Sequence, residues 1–150
     1  MLKKLSLGLI MGLLVLVGSV QAQEKKDIVL SMMEKAVAHY KAVGQDQAFK
    51  DFNKPGEFKN GEYYVIGQSL TDGKIIFDGV NAKLIGKDLT KVKDTDGKVF
   101  VQEMLDLAKS DGKGWVSYKW PNPATKKIAQ KYAYVTRIND DVFLIIGYYE

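Results

Sequence analysis

The sequence predicts an α+β fold, with one long N-terminal helix packed on an antiparallel sheet. Three observations carry this expectation. Apolar residues at helical spacing dominate the chain from Asp27 to about residue 43, five β-rich runs follow, and turn signals link those runs as hairpins. Hairpin-linked strands form antiparallel sheets, and a sheet with one apolar face needs a helix to cover it. There is no repeat, linker or low-complexity tail, so residues 23–150 are expected to be one domain.

Before the domain stands a leader. Met1-Leu2-Lys3-Lys4 is a short basic start, and Leu5 to Val17 is apolar apart from Ser6, Gly8 and Gly12. Gly18-Ser19-Val20-Gln21-Ala22 then places small residues where signal peptidase reads. This is the pattern of a secretory signal peptide over residues 1–22, cut after Ala22. The competing reading is an uncleaved segment that tethers the chain to the inner membrane, but its strongly apolar centre is short for a span. Export to the periplasm or beyond is the expectation.

The first helix is read over 27–43. Ile28, Met32, Ala36 and Tyr40 form one row and Val29, Met33 and Val37 the next, with Asp27 at the start and Gly44 at the end. A short second helix places Ala48, Phe49 and Phe52 on one side before Asn53-Lys54-Pro55-Gly56 breaks the pattern. Glu62–Leu70 and Lys74–Val80 read as strands joined by Thr71-Asp72-Gly73. Asp96 is read as the cap of a helix from Lys98 to Lys109 with Phe100, Met104, Leu107 and Ala108 on one face. Gly114–Trp120, Ala129–Ile138 and Val142–Tyr149 complete the strands, the last two turned by Asn139-Asp140-Asp141.

Composition narrows the function. The chain has no cysteine, hence no disulfide, no lipid-modified cysteine and no thiolate metal ligand. Its 22 basic and 18 acidic side chains give +4, which falls to about +2 without Lys3 and Lys4. That mild charge, with no basic stripe, does not point to nucleic acid. The single histidine, His39, sits on the first helix beside Ala38 and Tyr40, where a packing or surface role is the ordinary reading. With one histidine, a nitrogen-and-sulfur metal site cannot be assembled. No nucleophile elbow or phosphate-cradling loop is present, so neither catalysis nor a cofactor is expected. Asp94-Thr95-Asp96-Gly97 with Glu103 partly matches a calcium loop, but Val92 stands where its first carboxylate belongs, which favours a tight turn.

The distinctive segment is Gly112 to Pro123, which holds both tryptophans. In a regular strand Val116, Tyr118 and Trp120 face one side and Trp115, Ser117 and Lys119 the other. Aromatic residues on both sides mean that neither is plain solvent: one can pack the helix while the other walls a cavity. Lys131 lies downstream among Ala129, Tyr132, Ala133 and Tyr134. Two readings stand open, a cation that pairs with a carboxylate ligand and an edge lysine that guards the sheet against aggregation. The tryptophans are open likewise between core and cavity wall.

Gly114-Trp115-Val116-Ser117-Tyr118-Lys119-Trp120-Pro121-Asn122-Pro123, followed by Lys126-Lys127 and Lys131, resembles the signature of the single Cache domains (type 2) of bacterial extracytoplasmic sensors. Ala48-Phe49-Lys50-Asp51-Phe52-Asn53, Asp72-Gly73, Leu84 to Leu89, Asp94 to Lys98 and Gly147-Tyr148-Tyr149 agree in order, so the likeness runs from about Asp27 to Glu150. The resemblance implies a PAS-like sheet of five to six strands curved around one ligand pocket, in sensors of chemotaxis and other signal transduction. It implies Trp115, Tyr118 and Trp120 as pocket lining, Lys131 as charged anchor and Tyr64 as a further contact, with a small carboxylate-like metabolite as ligand. Two positions depart from the family pattern. Asp78 stands where many relatives carry histidine, and Ile145 replaces a glycine. An acid at 78 repels an anion unless it is protonated, turned away or paired with Lys131; the alternative is selection of an amine-bearing ligand. Family sensors continue into a membrane helix and an output module, whereas this sequence ends at Glu150, so a stand-alone binder that presents its ligand state to a membrane receptor or histidine kinase is expected. The rival expectation is an exported interaction protein with a degenerate pocket that binds a membrane sensor or another periplasmic protein.

Overall fold

The computed structural model describes residues 9–150, with side chains from Val17 onward. The basic start of the leader, with Lys3 and Lys4, lies outside the described residues. Helix α1 spans Leu9–Val43, starting well before the expected Asp27. Helix formers without a proline connect the apolar leader to the amphipathic segment, so nothing stops the helix between them. Asp27 is an interior residue, its Oδ1 accepting from Gln23 Nε2 at 2.9 Å one turn back. Among the described residues no helix is long and apolar enough to cross a membrane. Gly44, at φ 81°, ends α1 in a conformation that glycine adopts without strain. Helix α2, Gln45–Phe52, then folds back alongside.

Six strands follow: β1 Lys59–Asn60, β2 Tyr63–Ser69, β3 Ile75–Asp78, β4 Lys113–Pro121, β5 Ile128–Arg137 and β6 Val142–Tyr149. They make one antiparallel sheet in the order β1-β2-β6-β5-β4, with β3 also paired to β2. A 3-10 turn at Ala82–Leu84 and helix α3, Phe100–Ser110, lie between β3 and β4. The extra strand β1 has only two residues, too few to show an alternation in sequence.

Helices cover both faces of the sheet. On one, Val29, Met32, Met33, Ala36 and Tyr40 of α1, with Ala48 and Phe52 of α2, pack on Val65, Phe77, Val142, Leu144, Ile146 and Tyr148. On the other, Phe100, Val101, Met104, Leu105 and Ala108 of α3 pack on Val116, Ala133, Val135, Phe143 and Ile145. Strand β6 is therefore buried at every residue. Lys25 fastens α1 to the end of this strand. Its Nζ donates to the Tyr149 carbonyl at 2.6 Å and pairs with Glu62 at 3.0 Å.

One local expectation needs correction. Helix α3 starts at Phe100, and Asp96 does not cap it. Asp94 Oδ1 instead accepts the N–H groups of Asp96 and Lys98, both at 2.9 Å, and so holds these residues in a turn ahead of the helix. The Asp94 Oδ2 takes Lys119 N–H on the edge of β4, again at 2.9 Å, while Asp96 pairs with Lys119 Nζ at 3.0 Å. His39 has a structural role: its Nε2 sits 2.9 Å from Asp51 Oδ2, tying α1 to α2, and its ring lies against Phe52 and Phe58.

Candidate functional site: a lysine in a tyrosine cage

Lys131 lies on β5, between two neighbouring strands, so it is no edge residue. Register sets its surroundings. Tyr118 of β4 stands opposite it on one side and Tyr149 of β6 on the other. All three project to the α3 face, with Tyr64 reaching in from β2. The lysine is only 1% exposed. Space for its stem comes from Gly147: a Cβ there would lie 3.0 Å from Lys131 Cε and 2.6 Å from the Tyr132 carbonyl.

The Nζ donates to Tyr64 Oη at 2.8 Å and lies 4.5, 5.3 and 5.9 Å from the ring centroids of Tyr64, Tyr149 and Tyr118. Ring faces carry partial negative charge, so three of them stabilise a cation that water does not reach. Tyr149 Oη donates to the Pro121 carbonyl at 3.1 Å, which spends its only proton. Across the 3.3 Å gap between the two hydroxyls, Tyr64 is therefore the donor and Tyr149 the acceptor. One polar chain thus runs from the ammonium to Pro121. An ammonium has three N–H bonds, and Tyr64 accepts one of them.

No carboxylate among the described residues forms an ion pair with Lys131. Burial pulls its pKa down to about 8, against an upward pull from the charge of Asp78. Asp78, the source of that charge, stands at the end of β3 and is 6% exposed. Its Oδ1 accepts the N–H groups of Val80 at 2.9 Å and Asn81 at 2.8 Å. Burial raises its pKa, while those backbone bonds and Lys131 lower it. Burial likewise pushes Tyr64 and Tyr118 well above their usual value and Tyr149 up to about 12, so all three stay neutral donors near neutral pH.

The structure brings together Tyr64, Asp78, Tyr118 and Lys131 of the residues expected from sequence, with Trp120 at the margin. Trp120 is half-buried, its ring 6.2 Å from Tyr118 and edge-on to Phe100 at 5.2 Å. Trp115 does not join them. The two-residue period of β4 sends it to the helix α1 face, against Tyr134 at 5.0 Å and Tyr148 at 6.0 Å. Three contributors were not singled out as site residues. Tyr149 and Gly147 could have been found by folding the β5–β6 hairpin about Asp140, which sets Lys131 against Tyr149. Phe100, stacked on Tyr118 at 4.0 Å, carried no signal beyond its place on an apolar helix face. A cleft of about 1440 Å³ lies elsewhere, between α1 and the β1 end; Gln23, Asp27, Lys35, Glu57 and Lys59 are among its lining, and it shares no residue with the cage.

A family model described as a Cache domain matches residues 18–148. The methyl-accepting chemotaxis protein McpP of Pseudomonas putida is 36% identical over 62 residues, 41% of this chain. That match spans 11% of the receptor's own length. A solved methyl-accepting chemotaxis protein from Vibrio parahaemolyticus superposes with a TM-score of 0.77 at 19% identity, covering 91% of this chain and 95% of the other. The periplasmic sensor domain of a chemotaxis protein gives 0.71 at 22%, covering 86% and 96%. A third structure, described as the basis for carboxylic acid recognition by a Cache chemosensory domain, gives 0.67 at 26%, covering 89% and 95%.

Proposed function

The chain belongs to the Cache domain family, and from that premise we propose that it is a periplasmic sensing module that binds a small carboxylate-like metabolite at Lys131. One observation carries the reading. A lysine shielded from water keeps two N–H donors unspent and has no carboxylate in contact. A buried charge without a partner is costly, and an entering carboxylate supplies both the counter-charge and the missing acceptors. The carboxylic acid recognition described for one structural relative fits the same chemistry.

Under this reading the two unspent N–H bonds of Lys131 hold the carboxylate, Tyr64 positions the ammonium, Tyr118 and Trp120 wall the chamber, and Tyr149 orients Tyr64. No group in the cage is asked to make or break a covalent bond. The ligand state is read by a membrane receptor or histidine kinase, because a binding event can only shift an equilibrium that another element senses. Export rests on the leader, with cleavage after Ala22, and mass spectrometry of protein from the periplasmic fraction reads that cut directly.

Thermal-shift screening against small mono- and dicarboxylates tests the proposal. A ligand at about a hundred times its Kd stabilises by about 2.7 kcal/mol and raises the melting midpoint by roughly 5–10 °C. Lys131→Ala is expected to weaken that ligand at least tenfold in calorimetry while the domain stays folded. Equal affinity in parent and variant overturns the assignment, and a flat response across the panel favours a protein-interaction role instead.

A further inference from the structure

The chain has five asparagines, Asn53, Asn60, Asn81, Asn122 and Asn139, and asparagine is a thermolabile residue. Its side-chain amide carbon is open to attack by the backbone nitrogen of the following residue. That attack needs an N–H with a proton to lose, an unhindered neighbour and a side chain free to turn. The fold denies at least one of these to four of the five.

Asn122 is followed by proline, which has no N–H, and its buried Oδ1 accepts from Ala124 N–H at 2.9 Å. Asn139 Oδ1 accepts the N–H groups of Asp141 at 2.9 Å and Val142 at 2.8 Å. Asn81 Oδ1 accepts Lys83 N–H at 3.3 Å, and Asn53 Oδ1 accepts from Lys59 Nζ at the same distance. For these last three the following residue, Asp140, Ala82 or Lys54, also carries a side chain that crowds the attack.

Asn60 differs on every count. Gly61 follows it, and even a Cβ built at Gly61 would meet nothing within 4 Å. Both residues are exposed. Among the described residues neither the Asn60 side chain nor Gly61 N–H forms a hydrogen bond. Asn60 ends β1, an edge strand of two residues. Gly61, at φ 60°, starts the tight turn that brings Tyr63 opposite Asn60, a position that glycine fills without strain. So short an edge holds the turn weakly, and it can open while the core stays closed.

We infer that Asn60 is a site of spontaneous deamidation, whatever the cage binds. Gly61 N attacks Asn60 Cγ and a C–N bond forms. The bond from Cγ to the side-chain nitrogen breaks, and that nitrogen leaves as ammonia with the proton from Gly61. Water then opens the resulting cyclic imide, at the side-chain carbonyl to give aspartate or at the main-chain carbonyl to give isoaspartate. Either product places a negative charge two residues from Glu62, which pairs with Lys25 at 3.0 Å. Isoaspartate also adds a carbon to the main chain, so the Lys59–Tyr64 and Asn60–Tyr63 pairings cannot both keep register. Ageing thus acts on β1 and on the anchor of α1, and leaves the core intact.

Peptide mapping of the whole folded protein during incubation at mildly alkaline pH tests this. Residue 60 is expected to convert at least tenfold faster than any other asparagine, and an isoaspartate-specific methyltransferase is expected to label it. Asn60→Gln keeps the amide but needs a larger ring, so it is expected to lose the labelling and keep the parent melting midpoint. The same mapping in urea gives the rate without the fold, and the folded rate is expected within about tenfold of it. A folded rate a hundredfold or more below the urea rate overturns the inference, because the turn then shields Asn60. Conversion of another asparagine as fast as Asn60 overturns it too, and so does labelling that survives in Asn60→Gln.

Discussion

The two faces of β6 alternate residue by residue, yet they serve different ends. Toward α1 and α2 point Val142, Leu144, Ile146 and Tyr148, within a region filled by interlocked rings: Phe49 on Phe77 at 4.8 Å, Phe52 on Phe58 at 4.9 Å, Tyr132 on Tyr148 at 5.1 Å. Toward α3 point Phe143, Ile145, Gly147 and Tyr149. Half of this face is ordinary aliphatic packing under α3, and the other half holds Lys131 and Asp78. Both faces are equally dry, so burial does not tell them apart. What differs is the kind of group buried. A buried ion is weak evidence for stability, because a well-packed apolar residue of similar volume does as well or better. The first face is explained by folding, whereas the second asks for something that folding does not supply.

Truncation on the two faces gives the largest contrast. Phe52→Ala removes a fully buried ring that touches Phe49, Phe58 and Phe77, and about 3–5 kcal/mol of stability goes with it. Lys131→Met, of similar length and without charge, leaves the unfolding free energy unchanged or raises it by about 1–4 kcal/mol. Urea titration of both variants checks the pair. A Lys131→Met protein as unstable as Phe52→Ala would make the lysine a structural residue and erase the distinction.

The next effect is smaller and depends on pH. In the ligand-free protein Lys131 titrates near 8, while in the unfolded chain it titrates near 10.5. Between those values the unfolded state binds the extra proton, so stability rises with pH, by a few kcal/mol at most. Above pH 10 the buried Tyr64, Tyr118, Tyr148 and Tyr149 reverse the slope, because the unfolded chain loses their protons first. Asp78, raised by burial, acts only at the acid end, where stability falls as pH rises through its folded value. Denaturation from pH 7.5 to 11 is expected to show a maximum near pH 10, and Lys131→Met loses the rise. A parent profile flat from 8 to 10 would mean that the ammonium is not held out of water.

Sequence spacing revealed most of the fold because long periodic segments leave little choice. The alternation of β4, β5 and β6 falls where the structure has it, and so do the rows of α1 apart from Ile28, which is exposed. Features governed by local competition were not legible. Asp96 has the chemistry of a cap, yet Asp94 reaches its N–H first and holds the chain in a turn. The start of α1 was hidden because a leader pattern and a helix pattern share the same apolar residues. For the site, Lys131 was visible as an oddity in an aromatic strand, but the choice between sheet edge and chamber needed the strand order. Tyr149 became its neighbour only through a hairpin register that the turn residues imply.

The smallest predicted effect bears on the two tryptophans, because composition treats them alike and the pleat does not. Trp115 and Trp120 are five residues apart on one strand, so they point to opposite faces. Trp115 packs on Tyr134 and Tyr148, among the interlocked rings, and has no contact with the cage. Trp115→Phe keeps an aromatic ring there and is expected to cost about 1–2 kcal/mol of stability through lost packing. Ligand affinity, measured well below the melting midpoint, is expected to change less than twofold. Trp120→Phe, beside Phe100 and Tyr118, reverses the balance, with affinity moving more than stability. If Trp115→Phe weakens the ligand as much as Trp120→Phe does, the sheet does not insulate its two faces, and the α1 side must be counted as part of the binding machinery.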